Sequence, residues 1–171
     1  MTKRFPQTKP ILFLFLPLSI AACNLDAATG SAKEPVGCNP GTRLGQSEAG
    51  LPLLELCIVS GDKTRRFSVE NAATAAQQAQ GLMFRKSLAD DAGMIFPFPQ
   101  PRPAGFWMKN TLISLDIIFI GADGRIESIA ENTVPYSLES VRSIGPVASV
   151  LELRGGLTRQ LGIKAGDLVQ Y

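Results

Sequence analysis

Two acidic residues interrupt runs that are otherwise apolar. Asp116 stands in Leu-Asp-Ile-Ile-Phe-Ile, from Leu115 to Ile120, and Glu152 stands between Leu151 and Leu153. A lone charge buried in such a run costs several kcal/mol, so each must be paired, exposed or functional. Two carboxyl groups whose surroundings push their pKa values apart can work as acid and base. Glycosidases use such a pair, and the gap between the groups sets the stereochemical outcome. Asp116 and Glu152 are therefore the candidate catalytic residues of a histidine-free, glycan-directed hydrolase. The structural alternative for Asp116 is equally concrete: it accepts backbone N–H bonds in a turn-rich interior, or pairs with Lys109 or Arg85.

A second group of residues suits binding. Phe106-Trp107-Met108-Lys109-Asn110-Thr111 holds the only tryptophan of the chain, with a lysine two positions on. Read as a strand, period-two alternation puts Trp107 and Lys109 on one face and Phe106 and Met108 on the other. If Phe106 and Met108 fill the core, Trp107 is presented outward beside a cation, as a binding site wants. If Trp107 is core, Lys109 must find a buried partner, and Asp116 is the nearest. Arg85, Trp107, Lys109 and Asn110 are the candidate ligand-binding residues. Trp107 would be the platform, and the other three would contact polar groups of a small ligand, a glycan or an envelope protein.

Absences narrow the chemistry. The chain has no histidine. That removes the Ser-His-Asp triad, the Cys-His dyad and His-ligated zinc. No glycine-rich phosphate loop of the nucleotide-binding kinds occurs. No cofactor and no metal is expected.

The elements that must position these residues follow from pattern and punctuation. Leu53–Val59 and Arg66–Val69 read as a hairpin across Ser60–Lys63. Asn71 or Thr74 can cap a helix over Ala75–Gln80, and Gly81 is placed to end it. Met94–Phe98 runs into Pro97, Pro99, Pro101 and Pro103. Proline cannot donate to a ladder, so this is an irregular surface loop or an edge that could wall a groove. Phe106–Asn110 and Leu115–Ile120 read as strands. Asp123-Gly124 turns the latter into Arg125–Ala130. Thr133–Pro146 reads as loop, Ala148–Leu153 as strand, Leu157–Leu161 as a short helix closed by Gly162, and Leu168–Tyr171 as a last strand. The fold class is α+β, mostly β: antiparallel strands curled into an open barrel-like sheet, with two short helices.

The N-terminus carries an address. Lys3, Arg4 and Lys9 precede an apolar run from Ile11 to Ile20. The run is too short to span a bilayer, which takes about 20 apolar residues, and fits the core of a secretory signal. Ile20-Ala21-Ala22-Cys23 resembles the lipobox of bacterial lipoproteins. The resemblance implies a signal peptide over 1–22 and a diacylglycerol on Cys23. Amide acylation of the new terminus, commonly with palmitate, would add a third chain and stable membrane anchoring. Asn24 behind the lipidated cysteine implies the outer rather than the inner membrane, with the domain facing the periplasm. Removing 1–22 takes the chain from 171 to 149 residues and removes three cations and no acid, so the net charge falls from +2 to −1. Nothing remains of the basic face that a nucleic-acid partner needs. Residues 23–36 read as the lipidated end and a flexible tether, and 37–171 as one globular domain. Cys38 and Cys57 form an even pair in an oxidising compartment, most simply a disulfide, with two free thiols the alternative.

Several blocks recur together: Gly81-Leu82-Met83-Phe84-Arg85, Gly93-Met94-Ile95-Phe96, Trp107-Met108-Lys109-Asn110-Thr111, Leu115-Asp116-Ile117-Ile118-Phe119-Ile120, and Leu151-Glu152-Leu153 before Gly155. In this order and spacing the stretch from about Phe67 to Tyr171 resembles the domain-of-unknown-function family 192. The resemblance implies a compact, mostly β domain, often exported, with no settled reaction. Many members carry a cysteine near Val134 to Tyr136, where this chain has Pro135-Tyr136. The function expected is an exported, lipid-anchored binding module, with the hydrolase as the alternative.

Overall fold

The computed structural model describes residues 37–171 and, ahead of them, Thr2 alone. The expected signal peptide, Cys23 and the tether lie outside the described residues. Among the described residues no helix is long and apolar enough to cross a membrane.

The chain runs β1 (Arg43–Gln46), β2 (Pro52–Ser60), β3 (Lys63–Asn71), α1 (Ala75–Gln80), β4 (Ala92–Arg102), β5 (Gly105–Phe106), β6 (Leu115–Ile120), β7 (Ile126–Ala130), β8 (Val141–Arg142), β9 (Val147–Arg154), α2 (Leu157–Leu161) and β10 (Leu168–Gln170). The main sheet has the order β1-β2-β3-β4-β9-β6-β7, with β10 also on β2, while β5 and β8 pair apart. The sheet curls until Arg125, at the start of β7, bridges Leu168 of β10. It stops short of a closed barrel. Mostly β, with two short helices, is the class that the sequence pattern implies.

The sheet is mixed rather than wholly antiparallel. β3 and β4 run parallel, Ser68 opposite Ala92 and Asn71 opposite Ile95. Their connection carries α1, because a parallel pair needs a crossover longer than a hairpin turn. Thr74, not Asn71, caps α1. Its side chain accepts from Gln77 N while the Gln77 side chain accepts from Thr74 N, a reciprocal box that satisfies two orphan donors.

The proline run is part of β4. Ile95 is the last residue of β4 paired to β3, so beyond it one edge of the strand is free. Pro97, Pro99 and Pro101 fall in that part, where a missing donor costs the ladder least. The other edge stays on β9, through Pro97 opposite Ser149 and Arg102 opposite Val147, with a bulge between. Gly93 sits where β4 and β9 approach most closely: a Cβ there would lie 2.7 Å from the Glu152 carbonyl.

Two further differences matter for the site. The strand expected over Phe106–Asn110 ends at Phe106, because Asn110 takes φ 55° and residues beyond Phe106 turn to meet another loop. Met108 N donates to Ser137 O, and Tyr136 N to Thr111 O. The stretch Thr133–Pro146 is not all loop, since Val141–Arg142 pairs with Gly105–Phe106.

Each sheet face buries its own apolar cluster. One holds Leu56, Ile58, Ile95, Ile118, Leu151, Leu153 and Leu157 of α2. The other holds Met94, Phe96, Met108, Ile117, Phe119 and Val150. Cys38 and Cys57 are joined by a disulfide with Cα atoms 6.4 Å apart. It ties the segment ahead of β1 to the buried middle of β2. Closing this loop constrains the unfolded chain, so replacing both cysteines by serine should lower stability by about 3 kcal/mol. Chemical denaturation of the two forms, read by circular dichroism, checks the value.

Candidate functional site

The two acids lie on neighbouring strands but face opposite ways. In the β6–β9 ladder Asp116 is opposite Leu153, and Ile117 is opposite Glu152. Residues directly opposite share a face, and adjacent residues do not. Asp116 therefore lies on the face of Ile118 and Leu153, and Glu152 on the face of Ile117 and Val150. The sheet separates them. Asp116 and Glu152 cannot address one substrate bond, which corrects the hydrolase pairing.

Asp116 is fully buried, and its carboxyl accepts four hydrogen bonds. Oδ1 takes the N–H groups of Asn132 and Gly156, both at 2.8 Å. Oδ2 takes the N–H of Thr158 at 2.8 Å and its hydroxyl at 2.7 Å. Gly156 is the N-cap of α2 with φ 78°, so glycine supplies the left-handed turn that aims its N–H at the carboxyl. No substrate atom is needed to satisfy this group. The first of the two structural alternatives for Asp116, backbone donors in a turn-rich interior, is the geometry present.

Glu152 has the contrary surroundings. Its lateral neighbours are Met94 on β4 and Ile117 on β6, both apolar. It is 5 % exposed. No hydrogen bond reaches its carboxyl among the described residues. Burial alone pushes its pKa from 4.5 up to about 8, so the group is neutral at pH 7. It lines a cavity of about 290 Å³. The last turn of α1 and Gly81–Met83 form one side of this cavity, Phe96, Phe98 and Arg102 of β4 another, and Phe106, Trp107 and Thr111 a third. Phe106 meets Phe96 edge-on at 5.1 Å. Arg102 lies over the Phe98 ring at 4.0 Å, and Trp107 is 51 % exposed at the mouth.

The expected binding cluster divides. Trp107 lines the cavity. Lys109 stands over the outer side of Trp107, its Nζ 5.3 Å from the ring centroid, and is not part of the lining. Asn110 holds a neighbouring turn: its carbonyl accepts the Phe84 N–H, and its amide lies 3.8 Å from Met83 Sδ. Arg85 opens on a second groove of about 540 Å³ beyond Gly81 and Met83. There its guanidinium donates to both carboxyl oxygens of the buried Glu70 at 2.7 Å. Phe98 and Arg102 join the cavity although no motif marked them, and Thr111 joins it from the Trp107–Thr111 block. The one signal for Phe98 and Arg102 was the proline run, which foretold a wall without naming the side chains on it. Among the described residues no group of three metal-ligating side chains gathers.

Fold and site define a mostly β domain with no histidine and a cavity of mixed aromatic and polar lining that Glu152 faces. The chain belongs to the family DUF192, described as "Uncharacterized ACR", whose model matches residues 57–171. Two solved structures are similar. One is a protein of unknown function from Novosphingobium aromaticivorans, 44% identical, with a TM-score of 0.73 over 76% of this chain and 93% of that one. The other comes from Sinorhizobium meliloti and is named a "putative transcription regulator". It is 42% identical, with a TM-score of 0.66 over 68% of this chain and 91% of that one. No curated protein matches.

Two predictions follow from the acids. Asparagine at Asp116 would turn an amide toward donors, so Asp116→Asn should cost about 3 kcal/mol or more. Lys109→Met should change stability by about 0.5 kcal/mol or less, and the double variant should be additive within about 0.5 kcal/mol. Urea midpoints of the four forms test this, and a recovery in the double variant would restore a Lys109–Asp116 pair. For Glu152, the unfolded chain releases a proton near pH 4.5 that the folded chain keeps until about 8. Stability should therefore fall as pH rises through this window, by about 1.4 kcal/mol per unit at most. Glu152→Gln should flatten the slope. Thermal midpoints of both forms between pH 5 and pH 8 would show it.

Proposed function

We propose that the protein is a small-ligand-binding module of the bacterial envelope, and that its site is the cavity between α1, β4 and Trp107. A signal peptide over 1–22, lipid on Cys23 and a tether to about residue 36 would hold the domain on the periplasmic side of the outer membrane. The observation that carries the binding reading is Glu152. A buried polar side chain is normally hydrogen-bonded, because an unmade bond leaves its desolvation uncompensated. This carboxyl has no protein partner among the described residues and faces open volume. A concave site lined by aromatic side chains, with a few polar groups converging on it, is the ordinary form of a ligand pocket. The half-exposed Trp107 at the mouth supplies a flat apolar contact for whatever enters.

The only tryptophan of the chain is also its optical reporter. The full chain, purified in detergent, would be screened by Trp107 fluorescence and thermal shift against sugars, carboxylic acids, alcohols and amines. At least one class should raise the midpoint and change the emission. Both effects should vanish in Ala79→Trp, which fills the mouth from the exposed side of α1, and in Glu152→Leu. Hits that survive both substitutions, or a screen without any, would overturn the reading.

A further inference from the structure

We infer that the cavity takes an organic cation, its ammonium group held by the Glu152 carboxyl inside an aromatic wall. The inference rests on the binding reading above and names the class of ligand.

Two polar side chains of the lining are already engaged, and of the others Gln80 and Arg102 are exposed while Glu152 is buried. Gln78 Nε2 donates to the carbonyls of Ala72 and Pro97 at 3.1 and 2.9 Å. The Thr111 hydroxyl donates to Lys109 O at 3.2 Å. The Arg102 guanidinium lies on the Phe98 face and is exposed. What remains uncommitted at depth is one carboxyl group. A sugar brings several hydroxyls and meets one buried carboxyl at the floor, while Gln80 and Arg102 stand on the exposed side. An anionic ligand finds a single proton donor at the floor, with its only countercharge at the rim. An ammonium ion is different. It supplies the countercharge and N–H or polarised C–H groups directed at the carboxyl oxygens. Its alkyl carbons rest against Phe96, Phe106 and Trp107, whose ring faces attract positive charge.

Few charges surround the carboxyl. Glu152 is flanked across the sheet by Met94 and Ile117, and α1 contributes only the uncharged Gln78 and Gln80. Arg102 from β4 is the single cationic residue in the lining, and Lys109 lies beyond Trp107. The last turn of α1, whose carbonyl end favours positive charge, forms one side of the cavity.

The proton balance is fixed by this chemistry. Burial holds Glu152 protonated to about pH 8. A bound cation stabilises the carboxylate, so the carboxyl proton leaves to solvent as the ion pair forms. Below pH 8 each cation bound should release one proton, and affinity should rise about tenfold per pH unit.

Choline and n-butylammonium are suitable cations, and 3,3-dimethylbutan-1-ol is the neutral isostere of choline. Calorimetric titration of the full chain in detergent, at pH 6, 7 and 8 and in two buffers of different ionisation enthalpy, gives both affinity and proton release. At least one cation should bind with about one proton released at pH 6 to 7, perturb Trp107, and bind at least about tenfold more tightly than the neutral alcohol at pH 8. Glu152→Gln should abolish the proton release and the pH dependence. Binding of the alcohol as tight as that of choline, or cation binding unchanged in Glu152→Gln, would overturn the cation assignment while leaving the cavity a ligand site. Absence of binding by both cations, with hits in the wider screen blocked by Ala79→Trp, would do the same. Failure of the binding reading itself looks different, since no compound of any class would then respond to Ala79→Trp.

Discussion

The fold turns on the four hydrogen bonds that converge on Asp116. The carboxyl sits at the edge of the core shared by β6, β9 and α2, and each oxygen accepts from two donors. Those donors come from the loop after β7 and from the start of α2. One buried side chain thus fixes the register between the end of a hairpin and a helix that would otherwise have no cap, since Gly156 offers no side chain. The neighbouring contacts repeat the pattern. Gly155 N donates to Ser114 O, Thr133 N to Leu115 O, and the Ser114 hydroxyl to Thr133 O. Buried polar networks of this kind specify a unique arrangement only when every member is satisfied. Here the acid is satisfied without any ligand.

The second acid in the same strand pair stands in contrary surroundings. Asp116 and Glu152 stand in similar apolar runs on adjacent strands. They differ by one residue in register, and that step puts them on opposite faces. One face is closed by α2 and two loops that bring N–H groups. The other is left open between α1 and the proline-rich part of β4. The same desolvation that Asp116 offsets with four donors is left standing at Glu152, whose pKa rises to about 8. Strongly perturbed groups in a cleft mark sites more often than they mark scaffolding.

The sequence reveals the strands around both acids, because Leu115–Ile120 and Val147–Arg154 are apolar runs bounded by turn residues. It leaves Trp107 either outward or core, and the structure decides for outward, with Met108 beside it buried. What it does not reveal is which face each acid occupies. That depends on a cross-strand register between segments more than thirty residues apart, to which local pattern is blind. The parallel pairing of β3 and β4 is hidden for the same reason: it depends on which strands meet across the crossover. Arg85 is misplaced by the linear reading because its partner, Glu70, lies on β3 across the crossover and draws the guanidinium into the second groove. The tight turn after Phe106 escapes because asparagine at 110 takes a left-handed conformation that the strand pattern does not anticipate.

Turns next to residues of the cavity lining take a backbone geometry that few side chains adopt freely. Phe84, Asn110 and Tyr136 all have positive φ, at 64°, 55° and 63°. For a residue other than glycine this conformation costs of order 1 kcal/mol. The three turns brace one another, Phe84 N donating to Asn110 O and Tyr136 N to Thr111 O. Phe84 and Tyr136 remain exposed, so the strain does not serve to bury their rings. Its effect is positional: it carries the chain past Met83 and Thr111, both lining the cavity, and holds Trp107 on the turn between them. A pocket walled by short, mutually hydrogen-bonded turns loses little freedom when it is filled, and less ordering cost is then set against the contacts a ligand makes. The strained turns and the unpartnered carboxyl are thus complementary: one fixes the walls, and the other leaves a single polar demand at the floor.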